Sequence, residues 1–355
     1  MPPHRTTLRT LAAEAGVSPM TVSLALRNSP GVSAATRMRV QKLADERGYR
    51  PDPAVTKLMH HLRVQRPTHF HTCIGGLAER WPTGNEVRHI YTERVLEGLR
   101  TRAAALGYAF SLIYFDEAGS SQQLQQLLAR RGIECLVILP LLQPRDLSGL
   151  LDWRLFSTVS VTSSIIAPHF HTVNPQHFDN MLLACRQLTD AGYQRIGLAL
   201  PKDWDRRVNH RWTGAVTWHN LFGGTESVRP FIGDEHGPAL DPVALKAWLV
   251  AEEPDVVICD NIGMANLNDA VHSLRAAKRP RIVSLNWSTI RGESGIDQRV
   301  ELIGAAAIDV LAGMYVHSEK GIPAAPCSTM VLGRWVERPL PVPRKTAGRS
   351  AVRAG

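Results

Sequence analysis

The stretch TLRTLAAEAGVSPMTVSLALRNSPGVSAATRMRVQKLADERGYRP, residues 7–51, holds three apolar repeats of helical spacing, each with its own start and stop signal. Thr7 can cap a first helix in which Leu8, Leu11 and Ala12 recur on one face, and Ala15-Gly16-Val17 breaks it. Ser18 is a good cap for a second helix over 19–27, and Pro19 at its first position loses no hydrogen bond there. Ser33 caps a third that stops at Gly48, with Val40, Leu43 and Ala44 on one face and Arg37, Arg39 and Lys42 on the other. Two helices joined by a short glycine-containing turn are the helix-turn-helix layout, whose second helix offers its early residues to base edges in the major groove of DNA. Val17, Val22 and Leu26 would then pack inward, leaving Met20, Thr21, Ser23, Leu24 and Arg27 to face outward.

Charge points the same way. Residues 1–66 carry eleven Lys and Arg against four Asp and Glu, a net +7 out of +9 for all 355 residues. The residues after Pro343 add +4, so the long middle is close to neutral at −2. A basic head on a near-neutral body suits contact with a phosphate backbone.

The pattern Leu8-x-x-Leu11-Ala12-x-x-Ala15-Gly16-Val17-Ser18-x-x-Thr21-Val22-Ser23-x-x-Leu26-Arg27-Asn28, then Val32-Ser33, Thr36-Arg37 and Gly48-Tyr49-x-Pro51, resembles the head of the LacI/GalR family of transcriptional regulators. By that resemblance Pro19, Met20 and Leu24 read bases. Thr7, Ser18, Thr21, Ser23, Arg27, Asn28, Ser33, Thr36, Arg37, Tyr49, Pro51 and Ala54 complete the set expected at DNA. The family often has a polar or basic residue where Leu24 stands, so hydrogen-bond readout is weaker here. Pro51-Asp52-Pro53 ends the head, and residues 53–62 can form a short hinge helix, with Val55, Leu58 and Leu62 at helical spacing, too short to stand alone in water. The resemblance implies that this hinge folds when two copies meet over the minor groove of a palindromic operator, with Leu58 as the wedge. Leu58 as an ordinary amphipathic contact is the alternative.

Beyond Pro67 short apolar strands alternate with amphipathic helices. Strands are expected at 73–78, 109–115, 135–139 and 158–162, with helices at 90–106, 122–131 and 144–151. A second series has strands at 195–200, 227–232, 256–259 and 282–285, with helices at 177–191, 211–221, 242–251 and 264–276. The expected fold is an N-terminal all-α head with hinge helix, then an α/β body of two doubly wound parallel-sheet lobes. A helix at 300–316 would return to the first lobe, making both lobes discontinuous in the chain, and 328–332 would be a last strand. The domains read as head 1–50, hinge and linker 51–66, effector-binding and dimerisation body 67–339, and a Pro-rich, basic, unstructured tail 340–355.

Ligands of such sheets bind outside the carboxyl ends of the strands, so two lobes are expected to make a cleft. The body resembles the family's effector domain, itself similar to periplasmic sugar-binding proteins. That resemblance implies that Arg211, Asp260, Asn286 and Gln298 touch the effector. Such groups bond vicinal hydroxyls, and Trp81, Trp204 or Trp287 could stack on a sugar ring, so a sugar or related polyol is the expected ligand. Other readings stay open: Asp260 as a helix cap, Arg211 in a surface ion pair, and Trp212 and Trp218 as core.

Other classes find little support. The longest apolar stretch, residues 135–142, is far short of a membrane span. Cys73, Cys135, Cys185, Cys259 and Cys327 form no CxxC pair and read as reduced thiols. His69-Phe70-His71 and His169-Phe170-His171 lack Cys or carboxylate partners for a metal, and no phosphate-loop, zinc-protease or serine-hydrolase motif is present. Neither an enzyme nor a cofactor is expected. With no secretory signal at the N-terminus, the reading is a cytoplasmic homodimeric repressor, against the alternatives of an activator or a solute-binding receptor.

Overall fold

The computed structural model describes residues 7–26, 31–49, 72–80, 86–115, 118–141, 143–233, 240–261, 263–287 and 293–338. Arg27, Asn28, the hinge at 53–62 with Pro51, Ala54 and Leu58, Trp81, the first His-Phe-His and the tail 340–355 lie outside these residues.

The head is three helices, α1 (Leu8–Ala15), α2 (Pro19–Leu26) and α3 (Ala34–Glu46). Thr7 and Thr10 form a reciprocal capping box, and Gly16 at φ +62° ends α1 in the left-handed conformation that glycine enters without strain. Leu11, Ala12, Ala15, Val22, Ala25, Val40 and Ala44 make its core, and Gln41 Nε2 donates to the Ala25 carbonyl at 3.2 Å, tying α3 to α2. The inward face of α2 differs from expectation. Val22 and Ala25 are its buried residues, while Val17, Leu24 and Leu26 are each half-buried against the same core. Val17 and Leu26 thus pack inward as expected and Leu24 and Ala25 join them, while Pro19 and Met20 at the leading end of α2 remain exposed.

The chain divides into two compact units. One gathers the chain up to Asp179 with Asp203–Trp212 and Gln298–Gly333; the other takes Asn180–Lys202, Thr213–Asp297 and the residues from Arg334 on. In chain order the first contains β1 (Cys73–Ala78), α4 (Glu86–Ala105), β2 (Ala109–Tyr114), α5 (Ser121–Arg130), β3 (Cys135–Ile138), β4 (Arg145–Asp146), β5 (Ser157–Val161), β6 (Ile165–Ala167), β7 (His171–Pro175) and the start of α6 (His177–Asp190). The second holds β8 (Ile196–Leu200). The short α7 (Lys202–Arg207) and the first residues of α8 (Arg211–Phe222) return to the first unit. The second resumes with β9 (Phe231–Ile232), α9 (Pro242–Glu252), β10 (Val256–Cys259), α10 (Met264–His272), β11 (Arg281–Ser284) and β12 (Gly295–Asp297). Last come α11 (Val300–His317) and β13 (Ser328–Val331) in the first unit and β14 (Arg334–Val336) in the second.

The first unit's main sheet is parallel throughout, in the order β13-β7-β5-β3-β1-β2. One face is covered by α4 and α11, where Val95, Leu96, Leu99, Ile303, Ala307 and Leu311 meet Ile74, Val137, Val159 and Val173. On the other face Leu124, Leu128, Trp153, Phe156 and Phe170 close over Leu77, Ile113, Leu136 and Ile138. Helix α11 is long and apolar enough to cross a membrane by length and composition, yet Val300, Ile303, Ala307, Ile308, Leu311 and Met314 are core here. The helix expected at 144–151 is not formed. Asp146 instead accepts from the Ser148 N–H at 2.8 Å, a local bond that competes with helix, and β4 pairs with β6 in a small parallel ribbon.

The second unit's sheet runs β14-β12-β11-β10-β8-β9, with β14 antiparallel to β12 and the rest parallel. It is thus mixed rather than purely parallel. The strand expected at 227–232 shortens to two residues, as Pro230 has no N–H to give a ladder. The helix expected at 264–276 stops at His272, where Ser273 turns its hydroxyl back to the Ala270 carbonyl at 2.7 Å. Trp212 is buried as expected, but Trp218 is 48% exposed.

Candidate nucleic-acid interface and effector residues

Three hydroxyls prepare the head. Thr7 Oγ1 accepts from the Thr10 N–H at 3.2 Å, Ser18 Oγ from the Thr21 N–H at 3.0 Å, and Ser33 Oγ from the Thr36 N–H at 3.3 Å. Each caps one helix, and the Ser18 and Thr21 hydroxyls are also bonded to each other at 2.9 Å, as are Ser33 and Thr36. Thr7, Ser18, Thr21, Ser33 and Thr36 therefore set the helix starts before any partner arrives. Pro19 and Met20 stand exposed at the leading end of α2, Met20 at 67%. Ser23 is half-buried, and Leu24 and Tyr49 lean on the head's core. Arg37 is drawn back by an Nη2 bond to the Val32 carbonyl at 3.1 Å, whereas Arg39 and Lys42 are exposed on the outer face of α3.

In the second unit the strand ends bring two of the expected effector residues together. Asn261, the second residue after β10, donates its amide to the Asn286 carbonyl at 2.7 Å, and its Oδ1 accepts from Ser284 Oγ at 3.1 Å. Ser284 Oγ in turn accepts from the Asn286 N–H at 3.1 Å. This buried lashing fixes the ends of β10 and β11 side by side, with Asp260 before it and Asn286 within it. Asp260 is 8% exposed, and the cap position of α10 is Gly263. Trp287 is half-buried and bonds through its backbone N–H to the Ile296 carbonyl at 2.8 Å.

Arg211 and Gln298 belong to the first unit's segments. Gln298 is buried just ahead of Arg299, which is left-handed at φ 53°. Arg211 opens α8 after Asn209 and His210, both also left-handed at 53° and 56°; His210 Nδ1 is 2.8 Å from the buried Asp205 carboxylate. Among the described residues Arg211 makes no ion pair; the titratable group its charge acts on is a histidine. His177, at the start of α6, is buried with its ring edge-on to Trp212 at 5.0 Å. Burial, and then the charge of Arg211, pushes its pKa down to about 3, so the ring is neutral. Trp204 lies under the Arg207 guanidinium at 4.3 Å, and Arg207 Nη2 holds the Leu141 carbonyl at 2.6 Å. His177, Asn261 and Ser284 were not singled out from sequence; the Trp212 beside Arg211 was a clue only to a core contact. No group of three metal-ligating side chains occurs among the described residues.

Residues 7–52 match the family model described as bacterial regulatory proteins, lacI family. The match covers the helical head and no more of the chain. No curated protein matches the chain. Among solved structures, the lac repressor dimer bound to operator and the anti-inducer ONPF is similar over 94% of this chain and 98% of that one, at 18% identity and a TM-score of 0.53. The transcriptional regulator CelR in its cellobiose complex is similar over 94% and 99%, at 19% identity and 0.55. The LacI family transcriptional regulator CCPA from Weissella paramesenteroides, with bound glucose, is similar over 75% and 97%, at 15% identity and 0.52. At these identities the likeness is one of fold: a three-helix head followed by a two-unit α/β body.

Proposed function

We propose that the protein is a cytoplasmic, sequence-specific DNA-binding transcriptional regulator acting as a repressor, paired as a homodimer on a palindromic operator. The observation that carries this reading is the lacI-family head: three capped helices whose leading recognition-helix residues stand exposed, in a segment of net charge +7. We take the body to be the sensor of a small polyhydroxyl ligand. Asp260 and Asn286 stand at the carboxyl edge of the second sheet, where Asn261 and Ser284 lash the ends of β10 and β11 together, and are the residues best prepared to bond vicinal hydroxyls; Arg211 and Gln298 are assigned with them by resemblance, and Trp287 as a ring that could stack on a sugar. The similar CelR and CCPA structures hold cellobiose and glucose, which supports a sugar here. Ligand binding then biases which conformations place both heads on the operator, and operator binding must change ligand affinity by the same factor.

The test is binding of the full-length protein to duplexes selected from genomic DNA across a salt series. A regulator gives a log–log slope near −0.9 per phosphate neutralised, together with preference over random duplex at physiological salt. No such preference, with and without sugars, ends the reading. Asp260→Ala and Asn286→Ala should each abolish the thermal upshift that an effector sugar gives the native protein, while leaving salt-dependent DNA binding in place.

A further inference from the structure

Resting on the regulator reading, we propose that the recognition helix selects its half-site through the C5-methyl groups of thymines, with Met20 as the principal reader. The sequence of α2, PMTVSLAL, contains no Arg, Lys, Asn, Gln, Asp, Glu or His. Those are the side chains that discriminate bases by paired hydrogen bonds in the major groove. Its two hydroxyl residues make at most single bonds, and Thr21 Oγ1 is already held by Ser18 Oγ at 2.9 Å. Val22 and Ala25 face the core, and Leu24 leans on it. What remains at the end that must lead into the groove is Pro19 and a thioether side chain, Met20, that is 67% exposed.

An apolar side chain this exposed gains nothing from water or from phosphates. The major-groove edges of the base pairs offer one apolar group, the thymine methyl. Met suits it, being unbranched and polarisable enough to settle around a small methyl. The net +7 of residues 1–66 supplies attraction to the backbone without sequence preference, so within α2 the apolar contact is left to choose the sequence.

The experiment selects binding sites for the full-length protein from a random duplex library, then remakes the winning site with deoxyuridine at each half-site thymine in turn. Uracil keeps the pairing and removes only the methyl. Wild type should lose about fourfold in affinity at one or more of these positions, the worth of burying one methyl-sized group. Met20→Ala, on a side chain outside the core, should bind thymine and uracil versions alike while keeping its salt-dependent affinity for random DNA. Equal wild-type affinity for the two versions, or full discrimination retained in Met20→Ala, overturns the proposal. A library from which no sequence is enriched refutes the regulator reading itself, and this inference with it.

Discussion

His177 shows what a single buried side chain imposes. Its pKa of about 3 in the fold lies well below the ordinary 6.5, so between those values the unfolded chain binds a proton that the native protein refuses. The stability it contributes is therefore whole above about pH 6.5 and is lost as pH falls toward 3. Urea denaturation should show a loss of about 2 kcal/mol from this residue between pH 7.5 and pH 5. His177→Phe, which keeps an aromatic edge on Trp212, should remove that share; the smaller one from His219, also lowered by burial, should remain. A profile unchanged in His177→Phe would contradict the assignment. Arg211 was reachable from the sequence through the family resemblance, whereas His177 was not, since its neutrality comes from burial and from the Arg211 that the fold sets beside it. Asn261 and Ser284 were hidden likewise: their bonding spans 23 residues of chain.

Between elements, the contact of α4 with α11 is the tightest in the first unit. A Cβ on Gly98 would sit 1.9 Å from the Glu301 carbonyl oxygen, and one on Gly304 would sit 2.3 Å from that of Val95. The helices meet backbone to backbone, flanked by a salt bridge in which Arg94 Nη2 reaches Glu301 Oε2 at 2.9 Å. Gly98→Ala should therefore cost about 1–3 kcal/mol, read as a lowered urea midpoint, since the obstacle is main chain and cannot turn aside. Long elements were readable because their apolar spacing alone determines them, as in α11 and β1. Where one polar side chain overrides spacing, as Asp146 does, or where a two- or three-residue strand such as β12 or β14 takes its partner from far away, periodicity carries no signal.

For the whole molecule, burial sorts the five thiols. Cys135 and Cys185 have pKa values pushed up to about 12, in both by burial first. Native protein treated with iodoacetamide should be alkylated at exposed Cys327 and remain unmodified at Cys135 and Cys185 until denaturant is added. Rapid native modification of Cys135 would contradict the packing of β3.

The first sheet takes its outermost strand, β13, from near the end of the chain, and α11, which covers Val95, Leu99 and Val159, only slightly earlier. A ribosome making this protein thus has to complete residues 73–331 before that sheet can be closed, whereas the head's core lies within residues 7–49 and can assemble as soon as those are made. Messages cut short between Asn180 and Asp297 would yield a folded head joined to an uncovered apolar sheet, a product for chaperones and proteases rather than a working half.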